Sequence, residues 1–464
     1  MYFLEKIITV EKMTTLSTPK LATENISAQN NSTTIMSFSH SKHILLSCII
    51  GNALEWYDFI IYSYFIIIFG SLFFPHASPL AQILASWGIF WSGFLARPIG
   101  SLIFGHIGDK ISRKYALTLS IIIMAIPTTL IGFLPTYQQI GLLAPLFLIL
   151  LRTVQGFAIG GEYTGTMVFL VEHAPKHQRG LWGSCASFSA VIGVIAGSLL
   201  VAFLNIILSP EAMKSWAWRL PFILSMCGSL IGAYIRFHLS DPQVYLDLKE
   251  RKAEELAPIK DVILHHKSKI GCIILLDFLT AVGFFTVAIF FVTYFRTYLK
   301  FSEHAALSIH TFNMIILAVS ILIGGWLSDK YGRKPILGIP CAILILISYP
   351  LFQLLPLAGH LMLLCVQGVF AIVFGLFFGA IPSALAEIMP THVRFSGLSI
   401  GHNVCMAVIG GGAPFLASCL IHYTGNLASP AFLLIIASFI SLYSLRYFTD
   451  KYKTALMDDI KHLF

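Results

Sequence analysis

The sequence predicts an all-α membrane protein of about twelve transmembrane helices in two pseudo-symmetric six-helix bundles, and three observations predict this class. The 464-residue chain is 57% hydrophobic and only 11% charged, whereas soluble domains average about 25% charged residues. Apolar runs of about 20 residues, long enough to span a bilayer as helices, recur along it. Two ordered pairs of short motifs repeat at similar offsets, which indicates a duplicated half.

The apolar runs define twelve predicted spans and the polar segments between them define the domains. The spans cover residues 44–69, 80–104, 115–134, 142–171, 181–207, 219–239, 270–295, 304–327, 335–355, 360–386, 398–422 and 428–448. Residues 43–239 and 269–449 form the two predicted bundles. The Ser-, Thr- and Asn-rich residues 1–42 are expected to be a disordered cytoplasmic tail. Residues 240–268 form a cytoplasmic linker, with a short helix expected at 245–256, and residues 450–464 form a second cytoplasmic tail.

The distribution of basic residues predicts the orientation. The loops after the first, third, ninth and eleventh spans contain no Lys or Arg, whereas cytoplasmic loops are usually rich in both. Both termini are therefore expected in the cytoplasm, with Lys214, Arg296 and Lys300 as exceptions on the outer side. The net charge of +8 is then a topological signal, and no nucleic-acid-binding module accompanies it. The basic residues on the opposite side are Lys110, Arg113, Lys114, Lys176, Arg179, Lys330, Arg333, Lys334 and Arg394.

Cysteine and histidine positions predict no metal site and no cofactor. The eight cysteines lie singly, without C-x-x-C spacing, which is typical of buried thiols that act as small hydrophobic residues. Most histidines, such as His265 and His266, are placed in loops or at span ends, and only His310 and His402 are weak candidates for pH sensing. Phe284, Phe285, Phe290 and Phe291 are expected to face lipid or to pack, rather than to form a ligand cage.

Two duplicated motifs are predicted to act at the cytoplasmic face. GHIGDKISRK at 105–114 recurs as GWLSDKYGRK at 325–334, and E-x-x-P-x-x-x-R occurs at 172–179 and at 387–394. Glycine at the helix exit is expected to permit a tight turn, and the aspartate to pair with the arginine or to reach a helix N-terminus. We interpret the motifs as a cytoplasmic latch, while topology determination by positive charge is the alternative. The gating candidates are Gly105, Asp109, Arg113, Lys114, Glu172, Arg179, Gly325, Asp329, Arg333, Lys334, Glu387 and Arg394.

Ionisable residues inside the spans are the candidates for substrate binding and proton coupling, because such residues are costly in lipid. Carboxylates on the first span and arginines on the second and fourth are predicted to share one layer and to pair there. Asn52, Glu55, Asp58 and Tyr62 are expected on one face that lines a central cavity. A purely structural Glu55–Arg97 ion pair is the alternative. The candidates are Glu55, Asp58, Tyr62, Arg97, Arg152, Glu162 and Asp277.

These residues carry a family resemblance. G-x-x-x-D-K-x-x-R-K, present twice, resembles the signature of the major facilitator superfamily, and residues 152–160, RTVQGFAIG, are similar to its fourth-helix motif, whose Arg is implicated in proton coupling. Residues 51–59, 94–100, 160–162 and 218–222 resemble the metabolite:H⁺ symporter family. That family imports proline, glycine betaine, 2-oxoglutarate, citrate and shikimate.

The resemblance implies a proton-coupled symporter that imports a small carboxylate-bearing metabolite by alternating access. It implies Asp58 or Glu55 as the proton carrier, Arg97 as the group that receives the substrate carboxylate, and a monomer in the bacterial inner membrane, with the bilayer and the substrate as its partners. The chain departs from the pattern of this family at two places, Ser240-Asp241-Pro242 and Arg296. It also lacks the C-terminal heptad segment of the osmosensing members, so osmotic activation is not expected.

Other functions remain as alternatives. An exporter or antiporter would share the fold, and a non-transporting nutrient sensor would normally carry a soluble output domain. An enzyme is not expected, because no nucleophile or acid–base constellation is found.

Overall fold

The computed structural model describes residues 38–175, 177–237 and 258–453. Within these ranges the chain forms helices and no strand. Most of both predicted tails, the linker before residue 258 with its expected helix at 245–256, and Lys176 lie outside the described residues. The fold class is confirmed, and the described part of the chain contains ten helices long and apolar enough to cross a membrane, or eleven with one bent pair.

Twelve helical segments, α1 to α12, follow the predicted spans. Several are interrupted, and α12 is short, with 14 residues. Their bounds are α1, Phe38–Tyr64 and Ile66–Phe73; α2, Pro79–Leu95 and Arg97–Lys110; α3, Arg113–Phe133; α4, Leu143–Ile159 and Glu162–His173; α5, Arg179–Ile207; α6, Leu220–Phe237; α7, Lys267–Thr297; α8, Glu303–Tyr331; α9, Arg333–Leu354; α10, His360–Ile388; α11, Arg394–Cys405 and Ala413–Thr424; and α12, Ala431–Ser444.

Equivalent helices pack alike in the two bundles. On the periphery α3 packs against α6 and α9 against α12, whereas α5 contacts α8 and α10, and α2 contacts α11. The contact between the bundles is therefore built mainly by α2 and α5 on one side and by α8, α10 and α11 on the other. A short helix at Pro258–His265, which we call the linker helix, packs against the second segment of α2 and the start of α11.

The two ten-residue motifs are largely helical, which corrects the expectation that the helix ends at a tight turn at the first glycine of each motif. Only Ile111 and Ser112 interrupt the first copy, and only Gly332 interrupts the second. Ser112 accepts a hydrogen bond from the backbone N–H of Tyr115 at 3.0 Å and so caps α3. Helices α2 and α8 thus continue beyond their apolar runs, because helical hydrogen bonds satisfy the backbone on either side of the membrane surface. We call the end of the molecule that carries both motifs the motif end.

The first glycine of each ten-residue motif lies inside a helix and serves close packing rather than a turn, whereas Gly332, with a φ of +97°, forms the turn of the second copy. Gly325 lies inside α8, and a Cβ atom there would lie 2.5 Å from the Cβ atom of Ser184 on α5. In the fourth-helix motif, a Cβ atom on Gly156 would lie 1.5 Å from the carbonyl oxygen of Gly93 on α2. Small residues therefore allow helix backbones to approach both within a bundle and between bundles.

Irregular helix geometry is concentrated in helices that face the contact between bundles. The axis of α1 bends by 60° between its two segments, and α4 is interrupted at Gly160 and Gly161. Residues 286–290 of α7 and 406–410 of α11 form π-helical turns. Such turns are frequent at functional sites because they free backbone carbonyl groups. In α7 the carbonyl of Val287 accepts a hydrogen bond from Gln367 of α10 at 3.4 Å.

Candidate functional site

The first of two charged clusters at the motif end joins α2, α3 and α4 to α11. Arg113 forms an ion pair with Asp109 and lies 3.5 Å from Glu172, and Glu172 accepts a hydrogen bond from Nη1 of Arg394 at 2.8 Å. The other oxygen of Asp109 accepts the backbone N–H of Ser396, in the first turn of α11, at 2.7 Å. We call Asp109, Arg113, Glu172 and Arg394 the first latch.

The second latch is its counterpart, built from Asp329, Arg333, Glu387 and Arg179. Arg333 lies 2.9 Å from Asp329 and 3.0 Å from Glu387, and Glu387 lies 3.4 Å from Arg179. The carboxylate of Asp329 accepts the backbone N–H groups of Gly180 and Leu181, at the N-terminus of α5, at 2.7 and 2.9 Å. A carboxylate at a helix N-terminus satisfies free N–H groups and complements the helix dipole.

The latches are reciprocal: the glutamate of each E-x-x-P-x-x-x-R copy contacts the arginine of the other. The latch side chains are nearly all buried, since Arg394 and Glu172 have 1% and 0% of their side-chain surface exposed. The motif lysines contribute differently. The Lys114 ammonium lies over the ring of Phe237 at 5.4 Å, and Lys334 donates its backbone N–H to Asp450 at 3.0 Å. The described ion pairs between the bundles therefore depend on arginine.

A cluster of buried polar residues lies between the bundles around Arg97. Its Nε donates to Oδ1 of Asn403 on α11 at 2.9 Å, and Asn403 in turn donates to the carbonyl of Gly160 at 2.5 Å, where α4 is interrupted. Glu55 and Asp277 interact electrostatically with the Arg97 guanidinium. Nη1 and Nη2 of Arg97 are buried and have no hydrogen-bond partner in the structure.

Asp277 and His402 form a second buried contact beside Arg97. Oδ2 of Asp277 lies 2.6 Å from Nδ1 of His402, and the two side chains are 0% and 1% exposed. The His402 ring centroid lies 5.2 Å from that of Tyr163 on α4, whose hydroxyl is 2.9 Å from the hydroxyl of Ser187. The contact therefore joins α7 and α11 of one bundle to α4 and α5 of the other.

Four buried aromatic rings complete this central cluster. Trp56 packs edge-on against Tyr163 at 5.5 Å and against Phe284 at 5.0 Å, and Phe284 lies 5.5 Å from Phe378. The expectation that Phe284 faces lipid or merely packs is thus incomplete, because it packs against a residue of the other bundle. Phe285, Phe290 and Phe291 are likewise buried and do not face lipid.

The predicted single face on α1 does not exist as one surface. Asn52 donates to Ala186 and Ser189 of α5, while Oδ2 of Asp58 accepts a hydrogen bond from Ser229 of α6 at 2.9 Å. Two side chains six residues apart on a helix point in directions that differ by about 120°. Asn52 and Asp58 therefore face different neighbours. Asp58 lines a cavity of about 430 Å³ between α1, α5 and α6, within the first bundle rather than between the bundles.

Arg152 also differs from the expectation of a layer of paired charges. Its Nη1 donates to the carbonyl of Phe59 at 3.1 Å and to Gln155 at 2.9 Å. Its guanidinium carbon lies 4.2, 4.7 and 5.1 Å from the ring centroids of Phe59, Tyr62 and Phe90. Among the described residues no carboxylate forms an ion pair with Arg152, and aromatic faces stabilise the cation instead.

The side chains of Tyr62 and Glu162 form hydrogen bonds within the first bundle. The Tyr62 hydroxyl donates to the carbonyl of Ser86 at 3.1 Å. Glu162 begins the second segment of α4 and accepts a hydrogen bond from Ser120 of α3 at 2.5 Å.

Sequence reasoning missed Trp56, Tyr163, Phe378 and Asn403 as members of the central cluster. Aromatic residues in apolar spans carry no signal that separates a ligand contact from packing. Asn403 did carry a signal, because a buried amide inside a span needs a partner, and it follows His402 directly.

Comparisons with known proteins agree on one family. The Major Facilitator Superfamily model matches residues 48–414. A glycine betaine/proline/ectoine/pipecolic acid transporter of Dickeya dadantii is 33% identical over 434 residues, covering 88% of this chain and 83% of that protein. The proline/betaine transporter of Escherichia coli K12 is 32% identical over 427 residues, with the same coverage of both chains.

A solved structure shows the same fold. The proton:xylose symporter bound to 6-bromo-6-deoxy-D-glucose superposes with a TM-score of 0.77 at 15% identity, over 92% of this chain and 99% of that chain. The family match, the curated relatives and the twelve-segment fold lead to one conclusion: the chain is a membrane transporter rather than an enzyme, and it belongs to the Major Facilitator Superfamily.

Proposed function

We propose that the chain is a proton-coupled symporter that imports a small carboxylate-bearing metabolite, with a proline- or betaine-like zwitterion as its substrate class. The observation that carries the proposal is the Arg97 guanidinium, which is buried between the bundles and whose Nη1 and Nη2 find no hydrogen-bond partner among the described residues. Arginine presents two parallel N–H groups that match a carboxylate. A substrate carboxylate bound there would satisfy both groups and would touch residues of both bundles.

The aromatic rings beside Arg97 suit the cationic end of such a zwitterion. Trp56, Tyr163, Phe284 and Phe378 are buried and come from both bundles. Aromatic faces attract ammonium groups, and a quaternary ammonium has no N–H group with which to form a hydrogen bond. The printed names of the curated relatives, betaine and proline transporters, support the same substrate class.

Proton coupling would act through the carboxylates near Arg97. Glu55 and Asp277 both interact with its guanidinium, so protonation of either would release Arg97 for the substrate carboxylate. Asp58, which accepts a hydrogen bond from Ser229 within the first bundle, is the third candidate carrier. H⁺ is the proposed coupling ion, and this scheme needs no cofactor.

The latches would control access from one side. We place the motif end, and both termini, in the cytoplasm of a bacterial cell, with the chain in the inner membrane and functional as a monomer. At the opposite end, α5 and α8 also touch, through Asn205 Nδ2 and Glu303 Oε1 at 3.1 Å. Opening the contacts at one end while the other stays closed would give alternating access.

Counterflow in proteoliposomes tests the substrate assignment. Proline, betaine, citrate, 2-oxoglutarate and shikimate would be offered as internal substrates, and we expect exchange with betaine or proline. Arg97→Gln should abolish exchange, while Arg446→Gln, an exposed arginine stacked on Tyr443, should leave it unchanged. Exchange that persists in the Arg97→Gln variant would contradict the role of Arg97.

A second experiment separates proton coupling from substrate binding. Asp277→Asn and Asp58→Asn are each measured for counterflow and for accumulation driven by an inward proton gradient. Loss of accumulation with counterflow retained identifies the coupling carboxylate, and full accumulation in both variants would exclude both residues. Net efflux from preloaded vesicles on imposing the same gradient would favour the exporter or antiporter alternative.

A further inference from the structure

A cluster of potential metal ligands lies at the motif end, apart from the latches and the central cluster. It contains Asp261 of the linker helix, His266 immediately before α7, and His392 in the turn between α10 and α11. Nε2 of His392 lies 3.1 Å, and Nε2 of His266 3.8 Å, from the same oxygen of Asp261. The three potential ligand atoms all lie within 4.8 Å of one another.

These distances suit a tetrahedral metal centre. Ligand atoms about 2.0–2.1 Å from a zinc ion are separated by about 3.3 Å along a tetrahedral edge, and the two measured separations of 3.1 and 3.8 Å lie on either side of that value. An ion between them would therefore require the three ligand atoms, which lie within 4.8 Å of one another, to draw closer together. Two imidazoles and one carboxylate are donors that zinc and related divalent transition metals accept.

A neighbouring histidine orients the carboxylate of Asp261, and all three ligand side chains are partly exposed to solvent. Nδ1 of His265 lies 2.7 Å from the second oxygen of Asp261, which is the type of outer contact that orients metal-bound carboxylates. The side chains of His266, His392 and Asp261 are 18%, 17% and 34% exposed.

We propose that Asp261, His266 and His392 form a binding site for one divalent transition metal ion, with zinc as the best fit, and that this ion holds the motif end closed. A water molecule would complete the coordination. The sequence suggested no metal site, because His392 belongs to a different segment from the other two ligands and only the fold brings them together.

The effect on closure follows from the neighbours of His392. The preceding residue, Thr391, accepts a hydrogen bond from Arg394 at 3.0 Å, and Arg394 contacts Glu172 in the first latch. The linker helix, which supplies Asp261, packs against both α2 and α11. A metal ion that ties this helix to the turn before α11 would therefore resist separation of α2 from α11, whichever substrate the protein carries.

Metal titration of the full-length protein tests the site. The protein, purified with a tag that contains no histidine, is titrated with Zn²⁺ by calorimetry and with Co²⁺ by visible absorption. We expect one ion per chain, a tetrahedral Co²⁺ spectrum, and a Zn²⁺-dependent rise in unfolding temperature. The double variant His266→Ala/His392→Ala should lose all three signals. His422→Ala, a histidine whose ring packs edge-on against Tyr423 away from the cluster, should keep them.

The results decide both parts of the proposal. Absence of saturable Zn²⁺ binding, or binding that survives in the double variant, would overturn the site. If the metal-free double variant unfolds at the same temperature as the metal-free wild type, a loss of binding is not caused by misfolding. Zn²⁺ should also slow counterflow of the wild type reversibly but not that of the double variant. Stoichiometric binding without such inhibition would overturn the link to closure, independently of the substrate assignment.

Discussion

Neutralising Glu172 should open the motif end. In the closed arrangement Glu172 accepts Nη1 of Arg394 at 2.8 Å, and both side chains are at most 1% exposed. Glu172→Gln preserves the shape of the side chain but leaves the buried Arg394 without its carboxylate partner. The hydrogen bonds of Arg394 to Ala386 and Thr391 remain. Removing one partner of a buried pair costs about 3–5 kcal/mol. Because Arg113 keeps its ion pair with Asp109, we take the lower value, about 3 kcal/mol. A cost of this size lowers the ratio of closed to open molecules at the motif end roughly a hundredfold.

The assay measures how fast a buried position becomes reactive. Ser184 is buried on α5 against α8, so Ser184→Cys in a background without the native cysteines should react with an impermeant maleimide only when the motif end opens. Glu172→Gln should accelerate labelling strongly. Glu303→Gln is the matched control, because this 26%-exposed carboxylate joins the bundles at the other end, and a partly exposed pair contributes less than a fully buried one. Equal labelling rates with and without Glu172→Gln would refute the assignment of the first latch.

Two further substitutions test packing and binding. Gly325→Ala should also increase labelling, because its methyl group would lie 2.5 Å from a side-chain carbon of α5. Gly271→Ala, with nothing within 4 Å of the new methyl group, should not. Unchanged labelling in both variants would show that the close contact of α5 with α8 does not control opening. Trp56→Leu should raise the KM for betaine by about five- to thirtyfold, because it removes about 1–2 kcal/mol of cation–π attraction. Trp326→Leu, which replaces a 43%-exposed tryptophan, should leave the KM unchanged. A KM unaffected by Trp56→Leu would remove this ring from the proposed substrate site.

Helix positions could be predicted from sequence because the bilayer leaves the chain few choices. Every backbone polar group in hydrocarbon must be satisfied within its own segment, so an apolar run and a helix nearly coincide. The fifth span, predicted at 181–207, is Arg179–Ile207, and the tenth, predicted at 360–386, is His360–Ile388. The errors fall at the motif end, where α2 and α8 extend beyond their apolar runs as polar helix.

The partners of the buried polar residues could not be predicted in the same way. Periodicity shows which residues share one side of a helix, but not which neighbouring helix they meet. For this reason the sequence predicts one cavity for Asn52 and Asp58, although they contact α5 and α6 respectively. The contacts of Arg97 with Asn403 and of Asp277 with His402 join distant segments, and only the packing of α11 against α2 and α7 brings them together.

The duplication was preserved unequally along the membrane axis. At the motif end both halves keep the same residue types in the same roles: an aspartate accepts N–H groups at the start of a helix in the other bundle, and a glutamate meets the other bundle's arginine. Between the bundles the halves differ, with Arg97 and Trp56 on one side and Asp277 and His402 on the other. A symmetric pair of latches fits a motion that both bundles share, whereas an asymmetric centre suits a substrate whose two ends carry opposite charges. Equal effects of the two latches and unequal effects of the central residues are therefore the pattern expected from mutagenesis.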